Sequence, residues 1–253
     1  MNTVAALHDP TVAGDGLTRA LHRVPTPTLV ARMLKIELGG VLRRCARALG
    51  IHRPTALGLE DLAAPDTPLC LDATAFARRA ESPLLFNHSL RSYLFGVAVG
   101  RHLGIAVDLE LLYLAAILHD VGLCPAHAGP GSFEVRGAAV ARDYLLAAGL
   151  SPGRADRVHE AIARHATVGL ADRGPPELAL VHFGAGVDVI GYHAEDVHAS
   201  TREAIVARHP RLAFKRDFGA LMEAEARRDP QAHIAGLVGL GFTRRMALAP
   251  FAE

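Results

Sequence analysis

The chain has 253 residues, half of them hydrophobic, so it is long enough to bury a sizeable core. Lysine and arginine number 27 against 26 aspartate and glutamate, a balance that lacks the basic surplus of proteins that bind nucleic acid or anionic membranes. No apolar run reaches membrane-spanning length, and the first residues do not have the pattern of a secretory signal. We therefore expect a cytoplasmic protein whose partner is a small-molecule substrate, with neither nucleic acid nor membrane involved. A homo-oligomer is compatible with this composition.

Cysteine and histidine content bear on metal binding. The three cysteines, Cys45, Cys70 and Cys124, are odd in number and far apart, which argues against a disulfide framework and against a thiolate zinc site. The 14 histidines are numerous for a chain of this size. Metal ligation by imidazole therefore stays open, although most of these histidines must be ordinary surface or core residues.

The N-terminal part predicts one long helix. Residues 1–24 have the composition of a loosely held arm. Thr26 and Pro27 form a helix-start signal, and apolar residues then recur with helical spacing at positions 30, 34, 38, 41, 45 and 48. Gly50 ends the pattern. We predict an amphipathic helix over residues 28–49.

Helical periods dominate the rest of the chain. The proline-containing residues 51–71 favour a loop with at most a short helix, and a further short helix is expected after Asp72. No alternating runs of β-branched residues joined by hairpin turns occur, so the predicted fold class is all-α. The predicted helices span residues 82–103, 108–119, 132–148, 151–165, 177–192, 200–208 and 214–228, before a glycine-rich tail.

The pair His119-Asp120 follows five aliphatic residues, Leu114 to Leu118, at the end of a predicted buried helix. Imidazole and carboxylate together suit a divalent transition metal, and two consecutive residues at a helix end can turn toward one ion. The alternative is an ordinary helix terminus, where His119 covers free carbonyl groups and Asp120 begins the next turn.

Two further residues bear on whether the pair His119-Asp120 binds a metal. His88 lies on an otherwise apolar helix, where a single histidine is more often a satisfied core residue than a ligand. Asp188 lies in the run Phe183-Gly-Ala-Gly-Val-Asp188, where an ionised carboxylate needs a counter-charge. A metal ion is one such partner and an arginine is another. The order His, His-Asp, Asp is more specific than any of its members.

This order resembles the HD-domain superfamily of metal-dependent enzymes, and within it the sequence looks most like the cyanamide hydratase group. The resemblance covers roughly residues 80–235. It rests on the segments Asn87-His88-Ser89-Leu90-Arg91-Ser92-Tyr93, Leu118-His119-Asp120-Val121-Gly122, Ser132-Phe133-Glu134, Glu160-Ala161-Ile162-Ala163-Arg164-His165, the helix that contains Asp188, His209-Pro210-Arg211 with Phe214, and Pro230-Gln231-Ala232-His233.

The resemblance implies an HD-domain helical bundle over residues 80–235, preceded by an N-terminal helical extension, residues 1–79, and followed by a tail, residues 236–253. It implies a divalent metal ion, Zn²⁺ in the first place and Fe²⁺ or Mn²⁺ as alternatives, with the activity of adding water to cyanamide to form urea. The implied ligands are His88, His119, Asp120 and Asp188.

Two residues are candidates for catalytic or relay roles beside the metal. They are Glu134, in the first turn of its helix, and His165, at the end of its helix, and both positions are also favoured by the helix dipole alone. His165 is the first choice for an additional ligand if a second metal binds. The loop from Cys124 to Gly131, with His127, matches no family pattern, and we expect substrate identity to depend on it if it lines the pocket.

Two alternatives from other classes stay open. A phosphohydrolase of the same superfamily would act on a nucleotide or related ester and would need cations for the phosphate charge, with Arg91, Arg136 and Arg164 as candidates. A binding or regulatory module would keep the fold without turnover. The complete set of four implied ligands argues against that module.

Overall fold

Helices form all the regular structure of the described part of the chain, residues 25–51, 53–169 and 171–252 of a computed structural model. No strand occurs within those ranges, so the all-α prediction is confirmed. The arm predicted over residues 1–24 lies outside them. The α-helices are α1 (Thr26–Ala48), α2 (Pro68–Ala80), α3 (Pro83–Leu103), α4 (Leu109–Leu118), α5 (Phe133–Ala147), α6 (Pro152–Arg164), α7 (Pro176–Ile190), α8 (Ala199–Arg208), α9 (Phe214–Arg228), α10 (His233–Gly239) and α11 (Phe242–Ala247).

Two helices begin with the same hydroxyl-proline signal. The Thr67 side chain accepts a hydrogen bond from the backbone N–H of Cys70 at the start of α2, and Ser82 caps α3 in the same way through Leu85. In both cases proline follows as the first helical residue, where its missing N–H costs nothing. Helix α2 therefore begins at Pro68, before the predicted position, because this proline starts a helix and does not belong to the preceding loop.

Helix α4 is the centre of the bundle. Every residue from Leu111 to Leu118 is buried, and the helix contacts α2, α3, α6 and α7. A helix that is apolar on all sides is stable only when other elements surround it. Because α4 is surrounded, His119 and Asp120, which follow it directly, are also buried in the interior.

Helices α3 and α7 pack at very short range. A Cβ atom added to Gly184 would lie 1.9 Å from the carbonyl oxygen of Ser92, and one added to Gly96 would lie 2.7 Å from the carbonyl oxygen of Leu180. Glycine is therefore required where these two backbones meet. This close contact brings His88 of α3 and Asp188 of α7 into one layer.

Helix α1 forms as predicted but does not pack through its predicted apolar face. Leu34 and Leu38, from the predicted apolar row, are 64% and 61% exposed, whereas Leu29 and Gly40 are buried. The packing face is thus rotated relative to the apolar row. Periodicity located the helix but not its orientation.

The C-terminal helices build a second apolar cluster with residues from α1, α3 and α7. Part of the expected tail, residues 236–253, is folded: α10 runs to Gly239, α11 follows, and Leu237 and Met246 are buried. Among the described helices, none combines the length and the apolar character needed to cross a bilayer.

Candidate metal centre

The end of helix α4 turns two consecutive side chains toward the same point. Asp108 caps the start of the helix by accepting hydrogen bonds from the N–H groups of Glu110 and Leu111. At the other end His119 still has helical dihedral angles, whereas Asp120, at φ −104° and ψ 7°, has left the helix. The change of backbone direction between the two residues allows both side chains to face one place.

His88, His119 and Asp120 form a buried group of possible metal ligands. Nε2 of His88 lies 3.2 Å from Nε2 of His119, and Oδ2 of Asp120 lies 3.5 Å and 3.4 Å from these two atoms. All three side chains are at most 1% exposed. Tetrahedral ligands at about 2.1 Å from a zinc ion lie roughly 3.4 Å from one another. The three distances therefore fit a shared ion.

The hydrogen bonds of the two imidazoles fix which nitrogen faces this group. Nδ1 of His119 donates to the carbonyl oxygen of Ala116 at 2.7 Å, because a carbonyl oxygen can only accept. Nδ1 of His88 is bound to Oδ2 of Asp188, also at 2.7 Å. In the neutral rings both Nε2 lone pairs are therefore directed at each other and at the Asp120 carboxylate.

The buried acceptor atoms of this group would be stabilised by a cation. Neither oxygen of Asp120 has a hydrogen-bond partner among the described residues, although both are buried. Two lone pairs and an unpaired carboxylate in the interior are costly without a positive charge. The donor set thus fits a divalent metal ion, which would accept an electron pair from each of the three residues.

Burial favours the protonation state that metal binding requires at His119 and disfavours it at Asp120. Desolvation, helped by His88, lowers the pKa of His119 to about 3, so this ring is neutral at pH 7. Desolvation raises the pKa of Asp120 above its ordinary value, while His88 and His165 act in the opposite direction. A neutral imidazole and a carboxylate are the ligand forms that bind zinc.

Asp188, the fourth implied ligand, is bound to His88 on the Nδ1 side of the ring and is not part of the three-residue group. Its Oδ1 accepts from Nε of Arg91 at 2.9 Å and from Arg211 at 2.6 Å, and its Oδ2 accepts from Arg91 at 2.8 Å and from His88. Burial alone would raise the pKa of Asp188, but Arg91 and His88 outweigh it and the pKa is lowered. In this structure arginines therefore supply the counter-charge that the Asp188 carboxylate needs. Both carboxylate oxygens are engaged by cations and by His88.

His165 joins the site from the end of helix α6. Its ring meets that of His119 edge to face, at 4.8 Å between centroids, and its Nε2 lies 3.8 Å from Oδ1 of Asp120. Nδ1 donates to the carbonyl oxygen of Ile162, which leaves the Nε2 lone pair on the side of Asp120. Desolvation, followed by His119, lowers the pKa of His165 to about 3.

Glu134 is buried near Asp120 but does not line the cavity described below. Desolvation raises its pKa to about 7, with hydrogen bonds from its own backbone N–H and from Ser132 acting in the opposite direction. The loop from Cys124 to Gly131 contributes none of the described lining residues either, and His127 lies in a short 3-10 turn within it. The condition under which substrate identity would depend on this loop is therefore not met by the described lining residues.

A cavity of about 90 Å³ opens beside the three ligands. His182 of α7, a histidine that the sequence analysis did not single out, also lines the cavity, and its Nδ1 donates to the carbonyl oxygen of His165 at 2.6 Å. The available sequence signal was a histidine on the same, mostly apolar helix as Asp188. The other lining residues are His88, His119, Asp120, His165, Phe133, Ala166, Val168, Ala185, Gly186, Val189, Ile190, Tyr192, Ile36, Phe218, Met222, Ile234, Leu237 and Phe242.

No arginine or lysine is present among the described residues that line this cavity. The three arginines considered for phosphate binding are engaged elsewhere. Arg91 holds Asp188, Arg136 donates to carbonyl oxygens of the neighbouring loop and to Glu225, and Arg164 pairs with Glu160.

A bundle of this kind with a buried His, His-Asp group is the arrangement of an HD-domain metalloenzyme, and the family model for the HD domain matches residues 85–209. The chain is 30% identical over 189 residues to two proteins of Saccharomyces cerevisiae, cyanamide hydratase DDI2 and cyanamide hydratase DDI3, and the match covers 69% of this chain and 79% of each relative. The chain belongs to the HD-domain family of metal-dependent hydrolases, and its resemblance to the cyanamide hydratases is confirmed.

Proposed function

We propose that this protein is a metal-dependent hydratase that adds water to the carbon of a small neutral nitrile-type substrate, of which cyanamide is the parent compound. The single observation that carries the proposal is the buried group of His88, His119 and Asp120 beside a cavity without described cations. The similarity to two yeast proteins named cyanamide hydratases supports it.

His88, His119 and Asp120 would hold the divalent ion, with zinc as our proposal for its identity. A bound zinc ion would supply Lewis acidity and would lower the pKa of a bound water to roughly 7. Asp188 is a positioning residue in this scheme. Its bond to Nδ1 of His88 holds the ring so that Nε2 faces the ion, a role that carboxylates commonly have beside metal-binding histidines.

His165 is the residue that we assign to proton transfer. Hydration of cyanamide forms a bond from the water oxygen to the nitrile carbon and moves the water protons to nitrogen, which gives urea. Nε2 of His165 is neutral at pH 7 and lies beside the ligand Asp120, so its lone pair is open to accept a water proton. Its lowered pKa makes the protonated ring a strong acid, which would pass the proton on to the substrate nitrogen at once. Glu134, which is outside the cavity lining, can act on this chemistry only through Asp120.

The phosphohydrolase alternative has less support from the site. A phosphate monoester carries about two negative charges, and its transfer is normally stabilised by several aimed cations. The described lining of the cavity offers none, and the candidate arginines are engaged in ion pairs and carbonyl contacts.

Purified protein reconstituted with zinc is incubated with cyanamide and, separately, with a set of nucleoside monophosphates, and urea and inorganic phosphate are measured. We expect urea and no phosphate, with loss of urea formation in His119→Ala. Arg142→Gln, in an exposed ion pair with Asp156, is the control for substitution in general. Phosphate release without urea would overturn the proposal.

A further inference from the structure

The cavity has two parts of different chemistry. The polar part consists of the metal group, His165, His182 and Tyr192, all from within the region that the HD-domain model matches. A second part, here called the apolar wall, is formed by Ile36 of α1, Phe218 and Met222 of α9, Ile234 and Leu237 of α10, and Phe242 of α11. All six residues lie outside residues 85–209.

The apolar wall begins directly beside a metal ligand. The Phe218 ring lies 5.1 Å from the ring of His88, measured between centroids. Phe218, Met222, Ile234 and Leu237 are at most 4% exposed and belong to the second apolar cluster. Their side chains are held by packing, so the apolar surface is preformed next to the place where the reaction occurs.

The space is larger than the parent substrate requires. A single water needs about 10–15 Å³ of such volume, so the cavity of about 90 Å³ holds roughly six to nine water-sized groups. Cyanamide has only three non-hydrogen atoms, two of them nitrogen. It would leave much of the apolar wall without a partner, whereas a hydrocarbon group would fill it favourably.

We propose that the site takes a cyanamide that carries an apolar N-substituent of about four carbons, and that the apolar wall selects this substituent. This inference rests on the proposed function. The reaction is R–NH–C≡N plus water to R–NH–C(=O)–NH₂. Two carbon–nitrogen π bonds and the two O–H bonds of water break, one carbon–oxygen σ bond, the carbonyl π bond and two N–H bonds form, and no net oxidation or reduction occurs.

The first experiment compares cyanamide, N-methylcyanamide and N-butylcyanamide as substrates of the zinc-loaded full chain. Burial of each methylene is worth roughly a fourfold gain. We expect kcat/KM for N-butylcyanamide to exceed that for cyanamide by at least about 10-fold. Faster hydration of cyanamide than of N-butylcyanamide would overturn this inference and leave the proposed function intact.

A binding measurement separates the two proposals where no turnover occurs. Titration calorimetry compares N-butylurea with urea on the same protein. Absence of turnover on all three substrates would contradict the proposed function, and the wall is then judged by binding alone. N-butylurea binding at least about 10-fold tighter than urea supports the apolar wall, and equal binding overturns it.

The wall itself is tested by the near-isosteric change Leu237→Asn, with Leu240→Asn as the matched control. Leu240, at the end of the same helix, is partly buried and does not line the cavity. We expect the ratio of kcat/KM for N-butylcyanamide to that for cyanamide to fall about 10-fold in Leu237→Asn and to stay unchanged in Leu240→Asn. Ile36→Asn, on the more exposed α1, replaces Leu237→Asn should that variant fail to fold. An unchanged ratio in the wall variant would overturn the assignment.

Discussion

Asp188 accepts a hydrogen bond from Nδ1 of His88 at 2.7 Å, and this bond leaves Nε2 of the same ring facing Nε2 of His119 at 3.2 Å. One carboxylate thereby links an arginine cluster behind the site to the metal group in front of it. The two aspartates of the site differ in kind: Asp188 is surrounded by cations, and Asp120 has no described hydrogen-bond partner at its carboxylate.

This difference predicts that an aspartate-to-asparagine substitution changes the free energy of unfolding differently at the two positions. In metal-free protein Asp188→Asn should lower the free energy of unfolding by about 3–5 kcal/mol, because Arg91 and Arg211 would be left as buried charges without their anion. Asp120→Asn should leave it unchanged or raise it by about 1 kcal/mol, because an unpaired buried carboxylate is removed. Urea denaturation measures both. Equal losses in the two variants would contradict the distinction.

Zinc affinity should be affected in the reverse order, with the larger loss in Asp120→Asn and the smaller loss in Asp188→Asn. We expect Asp120→Asn to lower zinc affinity strongly, whereas Asp188→Asn should lower it about 10- to 100-fold, as is usual for the carboxylate partner of a ligating histidine. Competition with a chelator measures both affinities. A larger loss of zinc affinity in Asp188→Asn than in Asp120→Asn would indicate that Asp188 itself ligates the ion.

His119→Ala should remove most of the bound metal and all detectable activity and leave the helical fold intact. The side chain stands at the end of α4, and the packing of that helix is provided by Leu111 to Leu118. Elemental analysis beside circular dichroism checks both parts. Full metal retention would contradict the ligand assignment, and global unfolding would mean that the metal is required for folding.

The buried histidines should make metal-free protein sensitive to acid. The pKa of His165 is lowered from 6.5 to about 3, so between these values the unfolded chain binds a proton there and the folded chain does not. The stability from this residue is complete above pH 6.5 and is lost as the pH falls toward 3. Relative to wild type, His165→Gln should lose about 2 kcal/mol less free energy of unfolding between pH 7.5 and pH 5.

Urea denaturation at the two pH values measures this difference. The opposite slope from Glu134, whose raised pKa reduces stability as the pH rises from 4.5 to about 7, is common to both proteins and cancels. His127→Gln, in the loop outside the cavity lining, is the control. Equal pH dependence in His165→Gln and wild type would contradict the buried neutral state of His165.

The contact between α3 and α7 should not tolerate an added methyl group. Gly184→Ala would place Cβ 1.9 Å from the carbonyl oxygen of Ser92, so we expect a loss of several kcal/mol, or separation of the helices that carry His88 and Asp188. Gly219→Ala, inside α9 with nothing within 4 Å of the added Cβ, should gain about 0.5–1 kcal/mol. Thermal and urea denaturation compare the two variants. Equal tolerance would show that the helices can separate at little cost.

The sequence by itself determined the all-α fold class, the positions of most helices and the family. Helical periods with hydroxyl-proline and glycine signals located most helices, because these signals act within one turn of the chain. The aliphatic run before His119-Asp120 was sufficient to predict a buried pair at a helix end. The order His88, His119-Asp120, Asp188 was sufficient to indicate the family, whose HD-domain model matches the chain.

Only the tertiary structure decided the contacts of Asp188, the packing face of α1 and the lining of the cavity. Each depends on residues distant in sequence: Arg91 and Arg211 reach Asp188 from other parts of the chain, and α9, α10 and α11 supply most of the apolar wall. Periodicity reports how apolar a helix face is, but not which neighbour covers it. A buried carboxylate requires a cation, and local sequence does not distinguish an arginine from a metal, because both satisfy the same electrostatic demand.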